Sequence, residues 1–409
     1  MLKFFTSLLF LLNIQISTQS ISSLTDKDFV TTQGKQIVTP NGKPIILKGI
    51  NLGNWLVPEG YMFKFKNATS PRLINNLLLE LIGPEETKKF WETFRNNYIT
   101  KEDISFIKKS GFNSIRIPFN FRLFVQEDTG IFTGPGFDML DRVIKWCKEE
   151  ELWTILDMHC APCGQTGDNI DDSWGYPFLF ESEECKDLIV KLWKEIAEHF
   201  KDEKIIIGYD LMNEPIAHYF DADKLNPLLE PLYKEIVKEI RSVDKNHLIF
   251  LGGAQWNTNF KIFGPPFDSK LVYTFHKYWS ATDISVIQEY IDYRDKYNVP
   301  IWMGESGENT NEWIEEFRTL LEKNEIGWCF WPYKKLNAES CIASINMTDE
   351  YETIIEYANS DRSSYEKIRD NKPPVDKVKK ALADFLENCK FKNCRINTDY
   401  LIALGLKNN

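Results

Sequence analysis

Ile205-Ile206-Ile207-Gly208-Tyr209-Asp210-Leu211-Met212-Asn213-Glu214-Pro215 is an apolar, β-rich run that ends in a cluster of polar groups. A run over 205–212 without polar alternation is what a parallel strand buried on both faces requires. A charged residue closing such a run would be costly in a core, so Glu214 is expected to face a polar pocket. Seven similar runs lie around it, at 46–51, 114–118, 153–158, 247–251, 271–275, 300–304 and 327–331. Between most of them the apolar residues recur with helical period, at 100–109, 136–151, 182–200, 224–243, 283–297 and 312–323. Eight strand-then-helix units predict an α/β fold of (β/α)₈ TIM-barrel type rather than an open doubly wound sheet. Residues 30–38, followed by a turn at 40–44, read as a short hairpin closing the barrel's base. The insertion 61–98 and the tail after Tyr351 read as decorations of one domain. Residues 21–409 form that domain, with 359–409 as a C-terminal extension packed on it.

Catalytic groups of such a barrel sit at the carboxyl ends of its strands. Those ends read Glu59, Arg116, His159, Asn213-Glu214-Pro215, His276-Lys277-Tyr278, Glu305 and Trp331. Each residue type bonds a sugar or moves a proton. Glu214 and Glu305 close the fourth and seventh runs. A structural ion pair, or an acid at a helix N-terminus, would explain either one alone. Two carboxylates opposed across one mouth are what glycoside hydrolysis needs, one to protonate the leaving oxygen and one to attack the anomeric carbon. Charge on Glu305 raises the pKa of Glu214, while Arg116 and Tyr278 favour ionised Glu305. Retention of configuration predicts carboxyl groups about 5–5.5 Å apart.

Asn213-Glu214-Pro215, Ser114-Ile115-Arg116-Ile117-Pro118, His276-Lys277-Tyr278 and Ile301-Trp302-Met303-Gly304-Glu305-Ser306-Gly307 together resemble glycoside hydrolase family 5, over the chain to about Lys335. The resemblance implies Glu214 as acid/base and Glu305 as nucleophile, with Arg116 against the nucleophile. It implies Asn213 on the sugar 2-hydroxyl, His276 beside the acid/base, Tyr278 against the nucleophile and Trp331 as floor of the cleavage subsite. Asn51-Leu52-Gly53-Asn54-Trp55-Leu56-Val57-Pro58-Glu59 and Asp157-Met158-His159-Cys160-Ala161-Pro162 are similar to fungal exo-β-1,3-glucanases of that family. By that similarity Glu59, His159 and Asp168 grip a non-reducing glucose. Cys160 and Cys163 stand where the family usually has glycine, and the insertion 61–98 differs from the fungal enzymes. The activity implied is hydrolysis of a β-glucan, exo-β-1,3-glucanase-like. An endo-β-1,4-glucanase, a β-mannanase, a glucosylceramide-type glycosidase and a non-catalytic carbohydrate-binding barrel are the alternatives.

The opening Met1-Leu2-Lys3, the apolar run 4–12 and Ser17-Thr18-Gln19-Ser20 read as a secretory signal peptide over 1–20. That run is too short to span a bilayer. The protein is therefore expected outside the cell or in the lumen of the secretory or lysosomal pathway. Asn67 and Asn346 stand in glycosylation sequons. Eight cysteines suggest disulfides, with Cys389 close enough to Cys394 to staple a loop. Cys160 and Cys163 have each other or Cys185 as partners. A zinc reading of His159-Cys160-Ala161-Pro162-Cys163 lacks a second ligand pair at metal spacing. Neither metal nor cofactor is called for. With 49 basic against 60 acidic side chains the net charge is −11, and no basic run offers a footing for nucleic acid. No membrane insertion and a monomer are expected. Of 12 tryptophans, Trp174 and Trp279 are the best placed for sugar contact, while His199 and His247 read as structural.

Overall fold

The computed structural model of the protein describes residues 28–406. The signal peptide expected over 1–20 lies outside them. Eight parallel strands close a barrel: β1 Lys48–Asn51, β2 Ser114–Asn120, β3 Trp153–Cys160, β4 Ile206–Asp210, β5 Leu248–Gly252, β6 Leu271–His276, β7 Ile301–Gly307 and β8 Gly327–Trp331. They pair in chain order, and β8 closes on β1 through Trp328–Lys48, Cys329–Gly49 and Phe330–Ile50. All eight predicted strands are present. Nearly every position on them is buried, because helices cover the outside and side chains fill the inside. β4 stops at Asp210, two residues before the predicted end. Leu211 and Asn213 still donate to Phe250 and Met158 carbonyls, 3.2 and 3.1 Å away, as the chain turns toward the mouth.

The six predicted helices also form. The helix Lys101–Lys109 begins in a capping box of Thr100 and Asp103. The segment 283–297 opens with a 3₁₀ turn, Ile284–Val286, so its α-helix starts only at Gln288. The predicted hairpin turn is displaced. Strands Thr31–Gln33 and Gln36–Val38 pair antiparallel around Gly34, and Thr39–Lys43 is a second, separate turn. Val30 and Ile37 of this hairpin, with Leu47, join Ile155, Ile207, Phe250, Val272 and Trp302 in an apolar plug. The base of the barrel is thus packed shut.

The insertion after β1 carries the helix Pro71–Tyr98, which kinks at Gly83-Pro84. Its aromatic face, with Phe63 of the preceding 3₁₀ turn, meets the tail helix Val375–Asn388: Phe385 lies 5.7, 6.4 and 6.1 Å from Phe63, Phe90 and Phe94. A small sheet of Lys334–Leu336, Ala343–Ile345 and Arg395–Ile396 ties the tail to the end of β8. Buried Lys334 pairs with Asp103 at 2.7 Å beneath it.

Cysteine pairing departs from the expectation of a full disulfide set. Cys163 bonds Cys185, while Cys147, Cys160, Cys329, Cys341, Cys389 and Cys394 are free thiols. The expected Cys389–Cys394 staple is absent because the Cys394 thiol points at the carbonyls of Asn388 and Lys390, 3.5 Å away, at the end of the tail helix. The zinc reading fails as well, since Cys163 is consumed by the disulfide. Among the described residues no helix is long and apolar enough to cross a membrane.

Candidate active site

Strand ends and the loops after them enclose a cavity of about 610 Å³ at the carboxyl-terminal mouth of the barrel. Glu59, His159, Asp168, Glu214, His276, Tyr278, Glu305 and Trp331 all line it. Of the residues singled out in the sequence, Arg116 and Asn213 are fully buried and lie one layer deeper.

That deeper layer is built on Arg116, in the middle of β2. Its Nη1 donates to Glu305 Oε2 (3.0 Å) and to Asn51 Oδ1 (3.1 Å), its Nε to Asp210 Oδ2 (2.9 Å), and its Nη2 to Asn213 Oδ1 (2.9 Å). Asp157 Oδ1 faces Nη2 at 3.1 Å. One guanidinium thus serves three carboxylates. Burial pushes the Asp157 and Asp210 carboxyls up to about 7 against the pull of Arg116. Asp157 Oδ2 accepts from His159 Nδ1 (2.7 Å), and His159 Nε2 accepts from Asn213 Nδ2 (3.2 Å). Burial lowers His159 to about 3, so this ring is neutral. It stacks 5.4 Å from Trp331, nearly parallel.

Glu305, near the end of β7, has both oxygens held. Arg116 takes Oε2, and Tyr278 OH donates to Oε1 at 2.7 Å. Burial raises its pKa, opposed first by Arg116 and then by His159 and Tyr278. Glu214 projects from a strained turn in which Glu214 and Ile216 both have left-handed backbone, φ +46° and +59°. The loop after β3 holds that turn: Thr166 Oγ1 donates to the Glu214 carbonyl (2.8 Å) and Gln165 Nε2 to the Asn213 carbonyl (2.7 Å). Glu214 Oε1 accepts from His276 Nδ1 at 2.8 Å. Burial, then the charges of Glu305 and Glu59, push Glu214 well above the ordinary carboxylate range. With less opposition than Glu305 enjoys, Glu214 holds its proton at the higher pH. One oxygen of each carboxylate and a ring nitrogen of His276 lie within 4.8 Å of one another. Those same three residues are the site's only grouping of metal-ligating side chains among the described residues.

Sequence reasoning missed several partners. Asp157 and Asp210 lie inside apolar strands, where a buried acid demands a cation. That demand was the available signal. Tyr61 and Glu308 carried no such mark. Trp331 Nε1 donates to Tyr61 OH (2.7 Å), and Glu308 accepts from Lys335 at 2.6 and 2.8 Å. This group walls the cavity beside Glu59, whose buried Oε1 lacks a partner within the protein. Burial, then Glu305 and Glu308, raise Glu59 well above its ordinary pKa. Asp168 accepts from Tyr219 OH at 2.7 Å, which ties the loop after β3 to the loop after β4. Trp279 and Trp256 line the cavity. Trp174 does not; it stacks on Arg72, 3.8 Å from the guanidinium. His247 is buried against Asp244 and Tyr209, and His199 pairs with Asp141, as structural residues do.

The sequence profile described as Cellulase (glycosyl hydrolase family 5) matches residues 81–337. A protein of Phanerodontia chrysosporium named beta-xylosidase is 27% identical over 77% of this chain and 72% of its own length. Endoglucanase C of Acetivibrio thermocellus is 26% identical over 62% of this chain and 88% of that one. Glucan 1,3-beta-glucosidase 2 of Saccharomyces cerevisiae is 24% identical over 59% of this chain, which spans 49% of that relative. Among solved structures, rutinosidase from Aspergillus niger shares the fold with a TM-score of 0.59, at 18% identity over 72% of this chain and 92% of that one. The profile match takes in more than half of the chain, from the insertion helix to just past β8, and on that ground the chain belongs to glycosyl hydrolase family 5 and is a glycoside hydrolase.

Proposed function

We propose that the protein hydrolyses β-glucosidic bonds of a β-glucan with net retention, with Glu305 as nucleophile and Glu214 as acid/base. The observation that carries this reading is the approach of the two carboxylates to within 4.8 Å. So close an approach of their oxygens is what the short carboxyl separation of retaining enzymes, about 5–5.5 Å, brings about. In the first step Glu305 attacks the anomeric carbon while Glu214 gives its proton to the departing oxygen. Charge on Glu305 is then spent in the ester, the pKa of Glu214 falls, and Glu214 takes a proton from the incoming water. Arg116 and Tyr278 keep Glu305 ionised for attack. Glu59 and Asp168 bind the sugar hydroxyls over Trp331, and His159, both of whose ring nitrogens are bonded within the protein, shapes the pocket wall.

Exo cleavage of a β-1,3-glucan is the first reading, with Tyr61 and Glu308 walling the cavity beside Glu59. The name of the Saccharomyces relative agrees with this linkage. The endoglucanase relative, matched over most of its length, favours endo-β-1,4 cleavage as the second reading. Export through a signal peptide over 1–20 is part of the proposal, and the exposed sequons at Asn67 and Asn346 are open to glycosylation.

Labelling with 2-deoxy-2-fluoro-β-glucosyl fluoride, followed by peptide mass spectrometry, tests the core of the proposal. The expected result is a fluoroglucosyl group on Glu305. A label on another residue refutes the assignment. Glucose as first product from laminari-oligosaccharides supports exo-1,3 cleavage, whereas faster cleavage of cello-oligosaccharides to mixed lengths supports the second reading.

A further inference from the structure

Just after β5 the chain makes a turn that ordinary residues avoid. Gln255, Trp256 and Asn257 are consecutive and all left-handed, with φ of +49°, +59° and +59°. For residues with a Cβ such backbone is strained, and it persists only where the surroundings over-determine it. Here they do. Gln255 exchanges two amide hydrogen bonds with Asn226, at 2.8 and 3.2 Å, and accepts a third from Asn259 at 2.8 Å. The turn drives the fully buried side chain of Asn257 against the last residue of β5, Gly252, where any Cβ would come within 2.1 Å of Asn257 Oδ1. From there Asn257 Nδ2 reaches His276 Nε2 at 3.1 Å.

An amide nitrogen only donates, so His276 Nε2 must accept. Burial holds the His276 pKa well below its ordinary value, so the ring is neutral and carries one proton. That proton is then on Nδ1, which lies 2.8 Å from Glu214 Oε1. We propose that Asn257 is a positioning residue that fixes His276 as its Nδ1–H tautomer, and so keeps the proton of Glu214 on the oxygen facing the cleavable bond. The opposite tautomer would turn a lone pair toward Glu214 and draw the acid's proton into that contact, away from the leaving group. The arrangement is kept although it leaves buried Asn257 Oδ1 without a donor. The inference rests on Glu214 being the acid/base.

Asn257→Asp tests it. Aspartate is isosteric and tolerates left-handed backbone, but as a carboxylate it accepts from Nε2–H and reverses the ring. The chain has five histidines, so ¹⁵N-histidine spectra are simple, and a His276→Gln sample assigns the signal. Wild type is expected to show protonated Nδ1 and bare Nε2; Asn257→Asp is expected to show a protonated Nε2. For an alkyl β-glucoside, which needs a proton on its leaving group, kcat/KM should fall at least about 100-fold. For 2,4-dinitrophenyl β-glucoside, which does not, it should stay within about threefold. A bare Nδ1 in wild type, or equal losses for both substrates, overturns the proposal. Should Asn257→Asp fail to fold, the wild-type spectrum still decides. Wild type inactive on both glucosides would refute the substrate reading instead, and the tautomer would remain measurable.

Discussion

Arg116 has carboxylates of Asp157, Asp210 and Glu305 within 3.1 Å, whereas Glu214 makes no bond to it and feels its charge less than burial and the charges of Glu305 and Glu59. The asymmetry sorts the two glutamates into their proposed roles. Its consequence for stability can be signed. Unfolded, the Glu214 carboxyl titrates near about 4.3; folded, burial and neighbouring charges hold it well above that. Between those two values the folded state binds more protons, so its stability falls as pH rises through the window. Glu214→Gln removes that fall. Thermal melts of wild type and variant are expected to coincide near pH 4 and separate as pH rises, the variant melting on the order of 2 °C or more higher at pH 8. The same variant should lose about 10²–10⁴-fold in hydrolysis of substrates with poor leaving groups. A wild type more stable than the variant at pH 8 would contradict the assignment. The two glutamates were legible in the sequence because each closes an apolar run. Asn257 was not, because its place depends on a turn whose left-handed backbone leaves no pattern in non-glycine residues, and Tyr61 was not, because it sits in a short 3₁₀ turn of the insertion with no periodic signal.

Strands were the most legible elements, since burial on both faces leaves an unbroken apolar signature that a helix of the same length seldom matches. The tail's sheet, of strands three residues long or shorter, offers no such periodicity. The hairpin's turn was misplaced because Pro40-Asn41-Gly42 is the stronger turn signal, yet the chain uses it for a second reversal. One junction between elements is expected to be sensitive. Gly53 follows β1, and a Cβ there would lie 2.5–2.8 Å from the indole of Trp331 at the end of β8. Gly53→Ala must therefore push Trp331 off its stack with His159. The expected outcome is a loss of about 1–3 kcal/mol in urea denaturation and a fall in kcat/KM of roughly tenfold or more. Near-wild-type kinetics would mean that the position of Trp331 does not matter to the reaction.

Across the whole molecule, the insertion after β1 and the tail after β8 meet on Phe385, which does not line the cavity. Phe385→Ala is expected to cost about 3–5 kcal/mol by urea denaturation, as buried aromatic truncations do. The loss should appear in one cooperative transition, with activity at 25 °C retained. Two separable transitions would show the tail to be an independent unit. The sequence suggested a tail on the barrel, but its partner could not be read from an aromatic helix face alone.

That meeting also imposes a schedule on biosynthesis. Phe63, Phe90 and Phe94 leave the ribosome early, and the ring that covers them is Phe385, near the end of the chain. At roughly 5–20 residues per second the interval is on the order of 15–60 s. Through that time the nascent chain carries a sticky aromatic strip that has no permanent cover. A chaperone meets that strip before the chain's own C-terminus does, and yield in a foreign host should depend on how quickly the last part of the message is translated.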